Sequence, residues 1–170
     1  MHTRGKQEAV LAAATRHLSE RGAQLTPIRR AVLRLLCSES KAVSAYDLIF
    51  KYQQEIGKRV APNTIYRVLD FLEEHGLAAH LARQRSYVAT VSQSQQTQST
   101  IFFTCARCGR FIERCDTSVE RAVCSVADAI GFVVAKRALE IEGNCVQCAP
   151  RPSSSKEPLR SKARSSGQRA

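Results

Sequence analysis

Apolar residues recur at helical spacing four times before residue 77. Over residues 6–21, Val10, Leu11, Ala14 and Leu18 share one face, and Gly22 ends the run. Thr26-Pro27 opens a second helix, with a hydroxyl at the capping position and proline at the first helical position. Its apolar stripe is Ile28, Val32, Leu35 and Leu36. Ser44-Ala45-Tyr46-Asp47 has capping-box spacing and opens a third helix that buries Leu48, Ile49 and Tyr52. The fourth begins at Pro62, turns Ile65, Val68, Leu69 and Leu72 inward, and runs to about His75 before Gly76.

After Gly76 the period changes. Residues 77–81 and 86–91 read as short strands around a polar turn, Arg83-Gln84-Arg85, and helices closed by such a hairpin form the winged-helix pattern. Residues 92–100 are Ser, Gln and Thr, the chemistry of a linker. Strand signals follow at Ile101-Phe102-Phe103 and Phe111-Ile112, then a helix over residues 117–130 with Val119, Ala122, Val123, Val126, Ala127 and Ile130 on one face. Phe132-Val133-Val134 and residues 138–141 read as further strands. The reading is therefore an α+β chain. A winged helix-turn-helix domain spans residues 1–91, a hinge linker 92–100, a second α/β domain 101–149, and a tail 150–170 so poor in apolar residues that disorder is expected.

Charge separates these parts. Residues 1–92 carry 14 Lys and Arg against 8 Asp and Glu, residues 93–150 carry 6 against 6, and residues 151–170 carry 6 against 1. A basic first half suits a polyanion and a neutral second half suits protein. The apolar run from Ala9 to Ala14 is too short for an export signal, and no stretch reaches membrane-spanning length. A cytoplasmic chain with no membrane partner is expected, where seven cysteines favour metal ligands or free thiols over disulfides.

The fourth helix sorts its side chains. Asn63, Thr64, Tyr66 and Arg67 lie near its N-terminus on or beside the polar face, as types that read base edges or hold phosphates, and that is the end a recognition helix places in the major groove. Asp70 and Glu74 confine any DNA contact to its first two turns. Arg29, Arg30, Tyr46, Arg83 and Arg85 are candidates for backbone phosphates. An ordinary solvated helix is the plain alternative.

Cys105 and Cys108 form one CxxC pair, and Cys145 and Cys148 form another. Two such turns aim four thiolates at one point, the donor set of a structural tetrahedral Zn²⁺. The rival is a redox CxxC, which here lacks thioredoxin-like context. Cys37, Cys115 and Cys124 have no CxxC partner and read as packing residues.

In order along the chain, residues 25–33 (LTPIRRAVL), 61–72 (APNTIYRVLDFL) and the paired CxxC motifs resemble the ferric uptake regulator family, and residues 44–48 (SAYDL) and 68–72 (VLDFL) resemble its zinc uptake branch. The resemblance implies a homodimer that binds palindromic double-stranded DNA operators, a second domain that serves dimerisation, structural zinc at the four cysteines, and metal-dependent repression. It also implies a regulatory metal at the hinge. The matching positions here are Ala79, Thr90, Gln98 and Glu113, so Glu113 keeps a ligand and His80 is the candidate one residue away from Ala79. Where many members have a later histidine, this chain has Glu142. A non-enzymatic repressor of the zinc-uptake type, with no small-molecule substrate, is the leading expectation, with a second regulatory Zn²⁺ left open. The alternatives are a metal-blind regulator or one with a different effector, a CxxC thiol oxidoreductase, and a zinc-stapled module that meets RNA or acidic protein.

Overall fold

The computed structural model describes residues 3–90, 100–134 and 138–149. Its elements are α1 (Thr3–Ser19), α2 (Pro27–Ser38), β1 (Val43–Ser44), α3 (Ala45–Ile56), α4 (Pro62–Glu74), β2 (Ala78–Leu81), β3 (Ser86–Ala89), β4 (Thr100–Cys105), β5 (Phe111–Cys115), α5 (Thr117–Ala129) and β6 (Ala138–Gly143). Of the expected linker at residues 92–100, residues 92–99 lie outside the described residues, as does the tail at 150–170, while Thr100 already begins β4. No described helix is long and apolar enough to cross a membrane.

The amphipathic stripes of α1 to α4 converge. Leu18, Val32, Leu33, Leu48, Ile65, Leu69 and Leu72 are fully buried in one core, closed below by Ala78, Tyr87 and Ala89 from the wing. Ser44 behaves as its spacing predicts. Its hydroxyl accepts from the Asp47 N–H at 3.1 Å and donates to the Asp47 carboxylate at 2.7 Å, tying off the first turn of α3. Thr26 does not. Its hydroxyl is buried with no hydrogen-bond partner rather than turned to the free N–H groups of α2, so Pro27 alone supports that start.

Gly76 ends α4 and launches the wing. Its φ of 67° lets Leu77 N–H reach back to the Leu72 carbonyl at 2.7 Å, the longer bond of a left-handed helix cap. β1, β3 and β2 then form an antiparallel sheet in that order, and residues 82–84 make one helical turn between β2 and β3. Every residue of β3 is buried, because both faces of the wing are covered. Tyr87 and Ala89 face the helices, while Val88 and Leu81 meet Phe102 of β4.

The second sheet has the order β5-β4-β6, antiparallel between β4 and β5 and parallel between β4 and β6. The carboxylate of Asp116 accepts from the Ser118 and Val119 N–H groups and caps α5. The expected strand at Phe132-Val133-Val134 is not formed: these residues have no ladder, and Phe132 and Val133 are exposed. A β-branched run becomes a strand only beside a partner strand, and among the described residues the chain supplies none there.

At Gly76 a Cβ would meet nothing within 4 Å, so replacement there costs only backbone strain. Gly76→Ala is expected to destabilise by about 1–2 kcal/mol, read as a lower urea midpoint at unchanged slope.

Candidate metal centre and nucleic-acid interface

The four thiols of Cys105, Cys108, Cys145 and Cys148 lie within 4.8 Å of one another, and no other group of three or more possible ligands occurs among the described residues. The Cys108 and Cys145 sulfurs are 3.8 Å apart. Tetrahedral Zn–S bonds of about 2.3 Å place sulfurs about 3.8 Å apart, so the donor set and its spacing fit Zn²⁺. The backbone brings them together. β4 and β6 run parallel, so both deliver their C-terminal ends, Cys105 and Gly143, to the same edge. Each CxxC then turns on itself: Gly109 N–H bonds to the Cys105 carbonyl at 2.9 Å, and Cys148 N–H bonds to the Cys145 carbonyl at 2.8 Å. The N–H of Cys145, at 3.4 Å, is the main cause that lowers the Cys105 thiol to about 6. The same N–H favours the thiolate form that a metal requires.

The remaining cysteines divide. Cys37 is partly buried, and desolvation raises its thiol to about 11, which keeps it protonated and inert. Cys124 is half-buried on α5. Cys115 is exposed beside Thr100, so it is not the packing residue expected: it ends an outer strand that no described helix covers.

The DNA candidates fall into two groups. Asn63, Tyr66 and Arg67 are exposed on the first turns of α4, with Thr64 half-buried beside them, and that first turn carries no acidic residue against its positive end. Tyr46 is 80% exposed at the start of α3. Arg85 is exposed at the wing turn with φ 48°. The other arginines are engaged within the protein. Arg29 stacks its guanidinium 3.3 Å from the Phe71 ring centre and donates to the Gln24 carbonyl at 2.8 Å, so it braces α2 against α4 instead of reaching outward. Arg30 is exposed but donates to the Thr15 hydroxyl at 3.1 Å. Arg83 lies 3.3 Å from the Glu142 carboxylate on β6.

Among the described residues, the positions matching a hinge metal do not come together as a group of three or more ligands. Strand alternation puts Ala79 and Val88 on the wing face that meets the second sheet, and His80 and Tyr87 on the other. His80 stacks on Tyr87 with ring centres 4.7 Å apart, so it cannot stand in for Ala79: a one-residue shift along a strand reverses the face. Thr90 spends its hydroxyl on the Gly76 carbonyl at 2.5 Å. Glu113, paired with Phe102, stands on the correct face without two further described ligands. Gln98 lies outside the described residues. Glu140 went unassigned in the sequence, and Glu142 was matched there only to a later histidine of the family; both contact the wing turn. Their alternation along β6 was the available signal.

The ferric uptake regulator family model matches residues 20–142. The zinc uptake regulation protein of Escherichia coli (strain K12) is 36% identical over 141 residues, covering 83% of this chain and 82% of its own. The ferric uptake regulation protein of Legionella pneumophila is 29% identical over 135 residues, covering 79% and 97%. A zinc uptake regulator complexed with zinc and DNA superposes with a TM-score of 0.77 at 34% identity, over 83% of this chain and 93% of its own. Holo XcZur superposes at 0.73 with 36% identity, over 82% and 96%.

Because binding energy at such a cysteine site is folding energy, Cys145→Ser is expected to lose the metal and unfold the second sheet. Elemental analysis should find close to one Zn²⁺ per native chain, and the variant should lose both zinc and near-ultraviolet ellipticity. A folded, metal-free native chain would contradict the assignment.

Proposed function

Since the chain belongs to the ferric uptake regulator family, we propose that it is a cytoplasmic DNA-binding transcriptional repressor of the zinc-uptake type, acting as a homodimer on palindromic operators. The observation that carries this reading is the superposition, at a TM-score of 0.77, on a zinc uptake regulator complexed with zinc and DNA. Residues 1–91 serve as the DNA-binding domain, 92–100 as the hinge, 101–149 as the dimerisation domain and 150–170 as a basic tail adding salt-dependent attraction. Asn63, Thr64, Tyr66 and Arg67 enter the major groove, and Tyr46 and Arg85 hold phosphates on either side.

Exposed apolar surface supports the second copy. Phe103, Ile112 and Ile141 stand in one row across the second sheet, and Val126, Ile130, Phe132 and Val133 are exposed on and after α5. α5 itself packs extensively on no other described element. Both are apolar surfaces that an identical chain can cover symmetrically. The structural zinc held by Cys105, Cys108, Cys145 and Cys148 keeps that surface folded, a binding role with no chemistry turned over.

A second reading, that regulatory zinc does not control this repressor, is favoured by Thr90. Its buried hydroxyl closes a bond to Gly76 where the relatives' site needs a metal donor, and neutral hydroxyls compete poorly with water for Zn²⁺. A metal shifts a conformational equilibrium only by its difference in affinity for the two states, and a site reduced to Glu113 has little difference to offer.

Arg67→Ala is expected to cost ~1–3 kcal/mol on the selected operator and to relax specificity at one base pair, whereas Arg85→Ala should weaken all sequences alike and flatten the salt slope by about one. Duplexes selected from a random library and titrated at several salt concentrations separate the two. Equal loss on every sequence for Arg67→Ala would remove it from base readout. With the structural site filled, added Zn²⁺ is expected to change operator affinity by less than ~10-fold. Fluorescence anisotropy with and without excess metal measures this, and a much larger response would restore a working sensor.

A further inference from the structure

One face of the second sheet looks at the wing, and register decides what it presents. Phe102 of β4 pairs with Glu113 of β5 and Glu140 of β6, so these three side chains stand in one row. Glu142 follows on the same face beside Thr104. Phe102 fills the contact with Leu81 and Val88. The β6 carboxylates reach past it. Glu140 Oε1 accepts from the Ala82 N–H at 2.9 Å, and Glu142 Oε1 lies 3.3 Å from Arg83 Nη2.

We infer that β6 is a metal-free clasp on the wing, in which Glu140 positions the wing turn and Glu142 occupies Arg83 in place of a DNA phosphate until DNA displaces it. The second half rests on the reading that this wing meets the DNA backbone.

The two carboxylates have different strengths and opposite effects. Ala82 is the first residue of the helical turn between β2 and β3, so its N–H is a donor that the turn itself leaves over. An ionised carboxylate is a strong acceptor for it, and the bond ties the tip of the wing to a strand of the other sheet. Loss of Glu140 frees the wing and weakens DNA binding. Glu142 and Arg83 make an exposed pair, with side chains 36% and 68% accessible, and such a pair is weak and easily exchanged. A phosphate offers Arg83 the same oxygen geometry with more charge. Glu142 therefore costs DNA affinity, by neutralising one cation in the free protein and by standing near the phosphates in the complex. The clasp needs no metal, and it acts at the junction of the wing turn with β6.

Three variants of the full-length, zinc-loaded dimer test the clasp. Without DNA, hydrogen exchange followed by mass spectrometry should show faster exchange over residues 82–86 in Glu140→Ala, with most protection regained in Glu140→Gln, which keeps an acceptor oxygen. Unchanged exchange in Glu140→Ala, or no recovery in Glu140→Gln, overturns the positioning role. On a duplex of arbitrary sequence, Glu142→Gln should bind a few-fold more tightly than the native chain, with a log affinity against log salt slope steeper by about one. Equal or weaker binding overturns the phosphate-surrogate role. If the native dimer binds no duplex at all, the DNA reading fails and takes the Glu142 half with it, while the exchange result still decides Glu140.

Discussion

Burial of the wing on both faces is the constraint on which the rest depends. A two-stranded hairpin is marginal by itself and becomes stable when a face is covered. Here one face closes the helical core through Ala78, Tyr87 and Ala89, and the other packs Leu81 and Val88 on Phe102. Leu81, Val88 and Phe102 are each at most 1% exposed. Fully burying side chains of this size is worth roughly 1.5–3 kcal/mol each. The exposed Arg83–Glu142 pair contributes at most about 1 kcal/mol. The apolar contact therefore holds the two units together, and the polar contacts around it select one orientation.

The second unit has little core of its own. Its buried side chains among the described residues are Ile101, Phe102, Thr104, Cys105 and Ala127, and Phe102 is spent on the wing. So small a core does not fold alone, and the two available supplements are a metal staple and a partner chain. The parallel pairing of β4 with β6 makes the staple possible, because only a parallel pair brings both C-terminal ends to one edge. The exposed row of Phe103, Ile112 and Ile141 makes the partner necessary. Zinc and dimerisation are two parts of one solution to a deficit of buried area.

Much of this was legible in residue order. The stripes of α2, α3 and α4 sort at 3.6 spacing, Gly76 marks a real left-handed cap, and the paired CxxC motifs name their own ligand set. What residue order did not carry was the direction of side chains whose partners are distant in sequence. Thr26 looks like a cap until its hydroxyl turns inward, and nothing in the spacing of Arg29 announces its stacking on Phe71. Phe132-Val133-Val134 has strand composition, yet composition does not supply the neighbour a strand requires. His80 sits one residue from the expected ligand position, which along a strand is the wrong side of the sheet.

A junction between two units can be held by a metal or by protein contacts, and the two differ in what they respond to. A metal at a junction does two things: it adds attraction between two units, and it makes that attraction conditional. Attraction is replaceable by ordinary packing and hydrogen bonds, and this junction has Phe102 against Leu81 and Val88, the Thr90 bond to Gly76, and the Glu140 bond to Ala82. Conditionality is not replaceable in that way, since none of these contacts varies with metal supply. Protein contacts of this kind hold the two units together without an ion. A hydroxyl already bonded to a backbone carbonyl, as that of Thr90 is to Gly76, competes poorly for an ion, so contacts of this kind add attraction without making it conditional.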